Sequence, residues 1–219
     1  MLALSAFGSA APQRVETTPA SASRLLPGTP APKIVAAAGT LRIQLPVAQG
    51  AVTAIGYHAG TEGALILDPL GRQGNEGLLS RLWHRLAGSP DDGLVWYQLG
   101  GAGGPDASAL DVGAAAGTDV YAPVDGTVVG IHDYVISNRV YGARVDIRPS
   151  RAPSLVVSLT QLHADPALTV GSAVAEGTSK VGTIVDLSGV ERQALARYTQ
   201  DAGNNVSLEV HPAATLSIP

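Results

Sequence analysis

Between Ser108 and Val185 the chain is a succession of short apolar runs cut by turn residues, which is the pattern of strands. T-D-V-Y-A (118–122) enters the turn Pro123-Val124-Asp125-Gly126 and leaves it as T-V-V-G-I. A-R-V-D-I-R (143–148), S-L-V-V-S-L-T-Q-L (154–162), V-G-S-A-V-A-E-G (170–177) and V-G-T-I-V (181–185) follow. A last run, N-V-S-L-E-V-H (205–211), alternates strictly. Val206, Leu208 and Val210 share one face, and Asn205, Ser207, Glu209 and His211 share the other. The 26 glycines and 15 prolines supply the turns, and the apolar residues are mostly Ala, Val, Leu and Ile. An all-β core is expected.

The upstream half is less regular. Residues 1–14 read as a truncated export signal: the first twelve carry no charge, and Ser9-Ala10-Ala11 resembles a small-residue cleavage site, but no basic residues precede the apolar run. Residues 15–38, with Pro19, Pro27, Pro30 and Pro32, read as a linker. Residues 39–100 form a β-rich region with one helix. Its strand-like runs are L-R-I-Q-L-P-V, A-V-T-A-I-G-Y, A-L-I-L and, at 93–99, G-L-V-W-Y-Q-L. Leu78, Leu79, Leu82, Trp83 and Leu86 set a helix over 76–87, capped by Asn75 and ended by Gly88. The glycine-rich stretch 100–105 lacks the spacing and the Lys-Ser/Thr of a phosphate loop. A second helix is expected over 190–200, with Ser188 and Glu191 as a capping box and Val190, Ala194, Leu195 and Tyr198 on one face.

Composition removes several functions. The net charge is −4 and the only lysines are Lys33 and Lys180, so there is no basic surface for a nucleic acid. There are no cysteines, hence no disulfide and no thiolate metal site. No apolar run reaches the roughly 20 residues of a membrane span, leaving at most peripheral membrane association.

Four stretches carry a resemblance. D-V-G-A-A-A-G-T-D-V-Y-A-P-V-D-G-T-V (111–128), Y-G-A-R-V-D-I (141–147), L-T-Q-L with L-T-V-G-S-A-V-A-E-G, and N-V-S-L-E-V (205–210) stand in the order and spacing of the LytM/lysostaphin-type zinc endopeptidase domain, which 109–212 resembles. The resemblance implies a compact barrel-like β-sandwich of the duplicated hybrid motif type, here with two peripheral helices, and a 213–219 tail. It also implies peptidoglycan as the context and an extracytoplasmic location in a bacterial envelope.

The resemblance implies a metal set that this chain lacks. Family members hold zinc with a His four residues before the Asp matching Asp111, with that Asp, and with the second His of H-x-H. Here those positions are Ala107, Asp111 and Ser207. The two assisting histidines of the family correspond to Gln161 and Asn205. Catalytic zinc takes three protein ligands, and Asn, Ser and Gln neither ligate it well nor titrate near neutrality. No catalytic set and no metal set is therefore intact, and no cofactor is expected. Asp111, Gln161, Asn205 and Ser207 remain as a candidate binding cleft. By analogy with relatives that lost their histidines, the chain binds cell-wall peptide or regulates a wall hydrolase.

Two other readings compete. One is an active zinc endopeptidase with a rearranged site. His163 lies two residues after Gln161, where the spacing runs one residue long. His211 lies about 13 Å along an extended strand from Ser207, and His132 follows the second strand. H-A-G-T-E (58–62) imitates the family's opening H-x-G-x-D, but no matching run follows Glu62, so His58 reads as an ordinary strand-end residue. The other reading is a lipoyl- or biotinyl-type carrier, weakened because Lys180 has no hairpin-tip context. Asn205-Val206-Ser207 is also a glycosylation sequon, discounted within a strand.

Overall fold

The computed structural model describes residues 32–75, 93–100 and 106–215. The expected helix over 76–87 lies outside them. The described chain is almost entirely β, as the run pattern requires. Its strands are β1 Ile34–Ala38, β2 Leu41–Gln44, β3 Ala54–His58, β4 Asp68–Pro69, β5 Arg72–Gln73, β6 Val95–Gln98 and β7 Ala109–Gly113. They continue with β8 Asp119–Tyr121, β9 Gly126–Ile136, β10 Arg139–Pro149, β11 Leu155–Ala164, β12 Ala173–Val174, β13 Lys180–Ile184 and β14 Asn205–Pro212. Strand β1 lies inside the stretch that composition assigns to the linker. A-L-I-L makes no strand: Leu67 is buried, Ile66 is 71% exposed, and pairing resumes at Asp68.

Two sheets form. The smaller has the order β2-β1-β4 and the larger β12-β9-β10-β11-β14-β7-β3-β6-β5, with β13 and β8 branching from it. Its end strands do not meet, so the architecture is that of an open sandwich and not a closed barrel. The branch point is β11. Leu155–Thr160 pair with β14, whereas Leu162–Ala164 pair with β13. Gln161 sits at the fork with φ 64, a left-handed conformation that costs a non-glycine residue about 1–2 kcal/mol. The one-residue excess in spacing noted in the sequence coincides with this irregularity: the β10–β11 register shifts between Ala143 and Val145.

The alternation of β14 is realised on both faces. Val206, Leu208 and Val210 are fully buried, with Leu110 and Val112 of β7 and Val157 and Leu159 of β11 beside them. Each contributes about 1.5–3 kcal/mol by burial. Val35, Ile43, Leu45, Val47, Ile55 and Tyr57, all upstream of residue 109, belong to the same core cluster. Strand β3 also pairs directly with β7, so the upstream residues extend the large sheet.

The helix expected over 190–200 is absent. Only a single 3-10 turn, Ala194–Arg197, forms. Ser188 bonds the Asp186 carboxylate instead of capping a helix. Tertiary contacts take over the residues that made the helical pattern. Leu195 enters a cluster with Ala54 and Leu99, and Tyr198 stacks on Tyr97 at 4.3 Å. Gln193 stays extended at ψ 137.

Candidate functional site

The polar face of β14 lies against the polar faces of β7 and β11. Ser207 pairs with Asp111 on one side and with Thr160 on the other. Asn205 pairs with Gly113, two positions along the same face of β14. Gln161 follows Thr160 at the fork. The register thus gathers Asp111, Gln161, Asn205 and Ser207 on adjacent strands around Ser207. Ala107 is not with them: it belongs to the main core cluster, and its carbonyl accepts the Leu67 N–H at 2.8 Å.

The decisive neighbour of Asp111 comes from β3. His58 pairs with Ala109 and Gly56 with Asp111, so His58 is the diagonal neighbour of the carboxylate. Its Nε2 lies 3.2 Å from Asp111 Oδ2, and its Nδ1 lies 2.7 Å from the Ala59 carbonyl oxygen. The hydrogen bond that His58 donates to Asp111 outweighs the burial that opposes it, and the imidazole is pushed up to about 9. His58 is therefore an imidazolium at neutral pH with both N–H groups committed. The sequence reading took it for an ordinary strand-end residue, because the signal is the β3–β7 pairing and not the H-A-G-T-E string.

The remaining polar residues of the face are also occupied. Glu209 accepts hydrogen bonds from the Thr61 N–H and hydroxyl and lies 2.9 Å from His211 Nε2, so His211 serves Glu209 and not Asp111. Asp146, 1% exposed, receives both Nε and Nη2 of Arg144 and the Ser158 hydroxyl, with His132 Nε2 at 3.4 Å. His163 is exposed beside Thr183. The segment after β13 covers Asn205, which is 1% exposed: its Nδ2 donates to Gln193 Oε1 at 3.1 Å and to the Gly203 carbonyl. A sequon asparagine so enclosed is closed to modification. From the β9–β10 hairpin, the Tyr134 hydroxyl oxygen accepts from the Gln161 side-chain amide. Burial, aided by the charges of Glu191 and Asp111, raises its pKa against the opposing effect of that bond.

This donor set does not fit zinc. Among the described residues no three His, Cys, Asp or Glu side chains come together as metal ligands. His58 and Asp111 are two at most, and they are bonded to each other. Lys180 opens β13 and its Nζ lies 2.6 Å from Asp119 Oδ1, which is not the hairpin-tip lysine of a carrier domain.

No protein-family model matches the chain, and no curated protein matches it. Among solved structures, two crystal forms of Helicobacter pylori Csd3 align over 52% and 51% of the chain at 17% and 19% identity, with TM-scores of 0.35 and 0.34. The chain spans about a quarter of Csd3 (26% and 25%). A chain of the SpoIIQ–SpoIIIAH pore forming complex aligns over 46% of this one and 54% of its own length, at 21% identity and a TM-score of 0.32. At TM-scores this low the likeness has no bearing on function. No helix among the described residues is long and apolar enough to cross a membrane.

Proposed function

We propose that the chain is a non-hydrolytic LytM-like domain of the bacterial envelope that binds cell-wall peptide or a wall hydrolase through its polar sheet face. One observation carries this reading. Four of the five positions matching the family motifs lie on adjacent strands about Ser207, yet the side chains there are Asn, Gln and Ser, and the one carboxylate is paired with His58. A metal-activated water needs three protein ligands, and His58, held protonated against Asp111, is committed as a donor, which favours the non-hydrolytic reading. The envelope location rests on the motif resemblance.

Two measurements on the purified full chain test it. Retention on purified cell wall, with no release of peptide fragments and no stoichiometric zinc by elemental analysis, is the expected result. Zinc bound by side chains together with wall cleavage would overturn it in favour of a rearranged metallopeptidase. Passage through the wall column with no hydrolase partner captured would remove the binding role.

A further inference from the structure

Strands β9 and β10 run past the strands that flank them. Strand β12 covers β9 only at Gly126 and Thr127, and Val128 adds bonds to Gly171 and Ser172. On the other side, β10 meets β11 only from Ala143 onward. The hairpin from Gly130 to Gly142 thus has no further strand on either side, and a two-stranded ribbon alone is marginally stable in water. Its β9 edge is long and bare. Val128 turns its N–H and carbonyl outward, and the bulge between Val128 and Gly130 inverts the alternation. Beyond it the backbone groups of Ile131, Asp133 and Val135 face outward, and among the described residues nothing bonds to them. The edge carries no Lys or Pro, residues that commonly blunt such edges. Val135 and Val140 are cross-strand partners on one face of the hairpin, and they are 52% and 59% exposed.

We propose that this edge pairs antiparallel with the same edge of a second copy of the chain, about a two-fold axis at Val135. Charge and hydrogen bonding select that register. Centred on Asp133, the pairing would set two carboxylates against each other, which is destabilising. Centred on Tyr134, it would set each Asp133 against a valine. Centred on Val135, the outward N–H and carbonyl of each Val135 meet those of the other. Each Asp133 then comes opposite Ser137 of the second copy, a neutral hydroxyl. One face of the joined ribbons carries an unbroken row of four valines, Val140 and Val135 from each copy. The other face sets Ile136 of the second copy beside Tyr134, whose hydroxyl meets the Gln161 side chain. An unrelated strand could use the backbone bonds, but the match of charged and apolar positions is particular to a second copy. The edge is short, so the buried area lies at the low end of specific interfaces and the dimer is a weak one. The pairing is independent of the binding role proposed above.

Sedimentation equilibrium of the full chain between about 10 µM and 1 mM should show a monomer–dimer equilibrium. Val135→Lys sets two like charges directly opposite each other at the axis and should weaken the dimer by at least about tenfold, with Tm unchanged. The chain has no cysteine, so single cysteines report the register and decide the matter if the lysine variant loses stability. Val135→Cys should give a disulfide-linked dimer under mild oxidation, because directly opposed hydrogen-bonded residues lie about 5.5 Å apart at Cα. Ser137→Cys should not, because in this register its two copies lie about 13 Å apart along the strands. A chain that remains monomeric across that concentration range overturns the inference. So does a folded Val135→Lys variant that dimerises like the wild type, or cross-linking of Ser137→Cys as fast as that of Val135→Cys.

Discussion

His58 makes the site depend on pH in a direction that its charge dictates. Its pKa rises on folding, so the stabilisation is complete below the unfolded value of 6.5 and is lost as pH climbs through about 9. The full shift corresponds to about 3 kcal/mol, but the side chain is 33% exposed and solvent screening reduces the expected share to about 1–2 kcal/mol. His58→Gln should therefore lose about that much stability in urea unfolding near pH 6, and the gap from wild type should narrow by about pH 10. An unchanged gap at both pH values would mean that the Asp111 contact contributes nothing through charge. At Gln161 the backbone decides. Gln161→Gly should be neutral or stabilising by up to about 1 kcal/mol, because glycine accepts φ 64 freely, whereas Gln161→Val should cost at least about 1–2 kcal/mol. Denaturant midpoints of the two variants, compared at one pH, check the ordering.

The segment between β13 and β14 shows how an element's role is set by what it meets. Leu195 packs over two glycines: a Cβ on Gly56 would stand 2.5 Å from Leu99 Cδ1 and 2.9 Å from Leu195 Cδ2, and one on Gly113 would stand 3.2 Å from Leu195 Cδ1. Those bare positions on β3 and β7 let Leu195 descend onto the sheet and bring Gln193 over Asn205. Leu195→Ala should cost about 2–4 kcal/mol and should speed proteolytic cutting within 187–203 well before the sheet itself is cut. Retained resistance in that segment would show that Leu195 is not what anchors it. The β9–β10 hairpin is held differently. Ser137 and Asn138 at φ 47 and 62 form its tight turn, a conformation Asn tolerates, and that turn sets the register that brings Tyr134 to Gln161.

For the whole molecule, the upstream strands are structural partners of the strands after residue 106. Tyr57, Ile43 and Leu45 are fully buried in the core shared with Leu110 and Leu208. A chain beginning at residue 106 should therefore fail to unfold cooperatively, giving a broad thermal transition and binding a hydrophobic dye. A sharp transition would show that this region folds alone. Adding zinc to the full chain should leave its Tm unchanged, because a ligand stabilises only in proportion to its affinity for the folded form. A metal-dependent rise in Tm would reopen the metallopeptidase reading.

The strands from β7 to β14 could be read in advance because alternation and turn chemistry are local: Val206, Leu208 and Val210 face the core whatever they pack against. The candidate positions Asp111, Gln161, Asn205 and Ser207 came from the resemblance of their motifs, and the strand register sets them on adjacent strands. The helix over 190–200 was misread because its apolar spacing answers two glycines and a tyrosine far away in sequence. His58 was missed because its partner is 53 positions downstream and meets it only through a strand pairing that no local pattern announces. Which face of β14 is polar was thus a property of the chain's own order of residues. That the polar face carries a paired imidazolium and a covered asparagine was decided by the neighbours that the fold placed there.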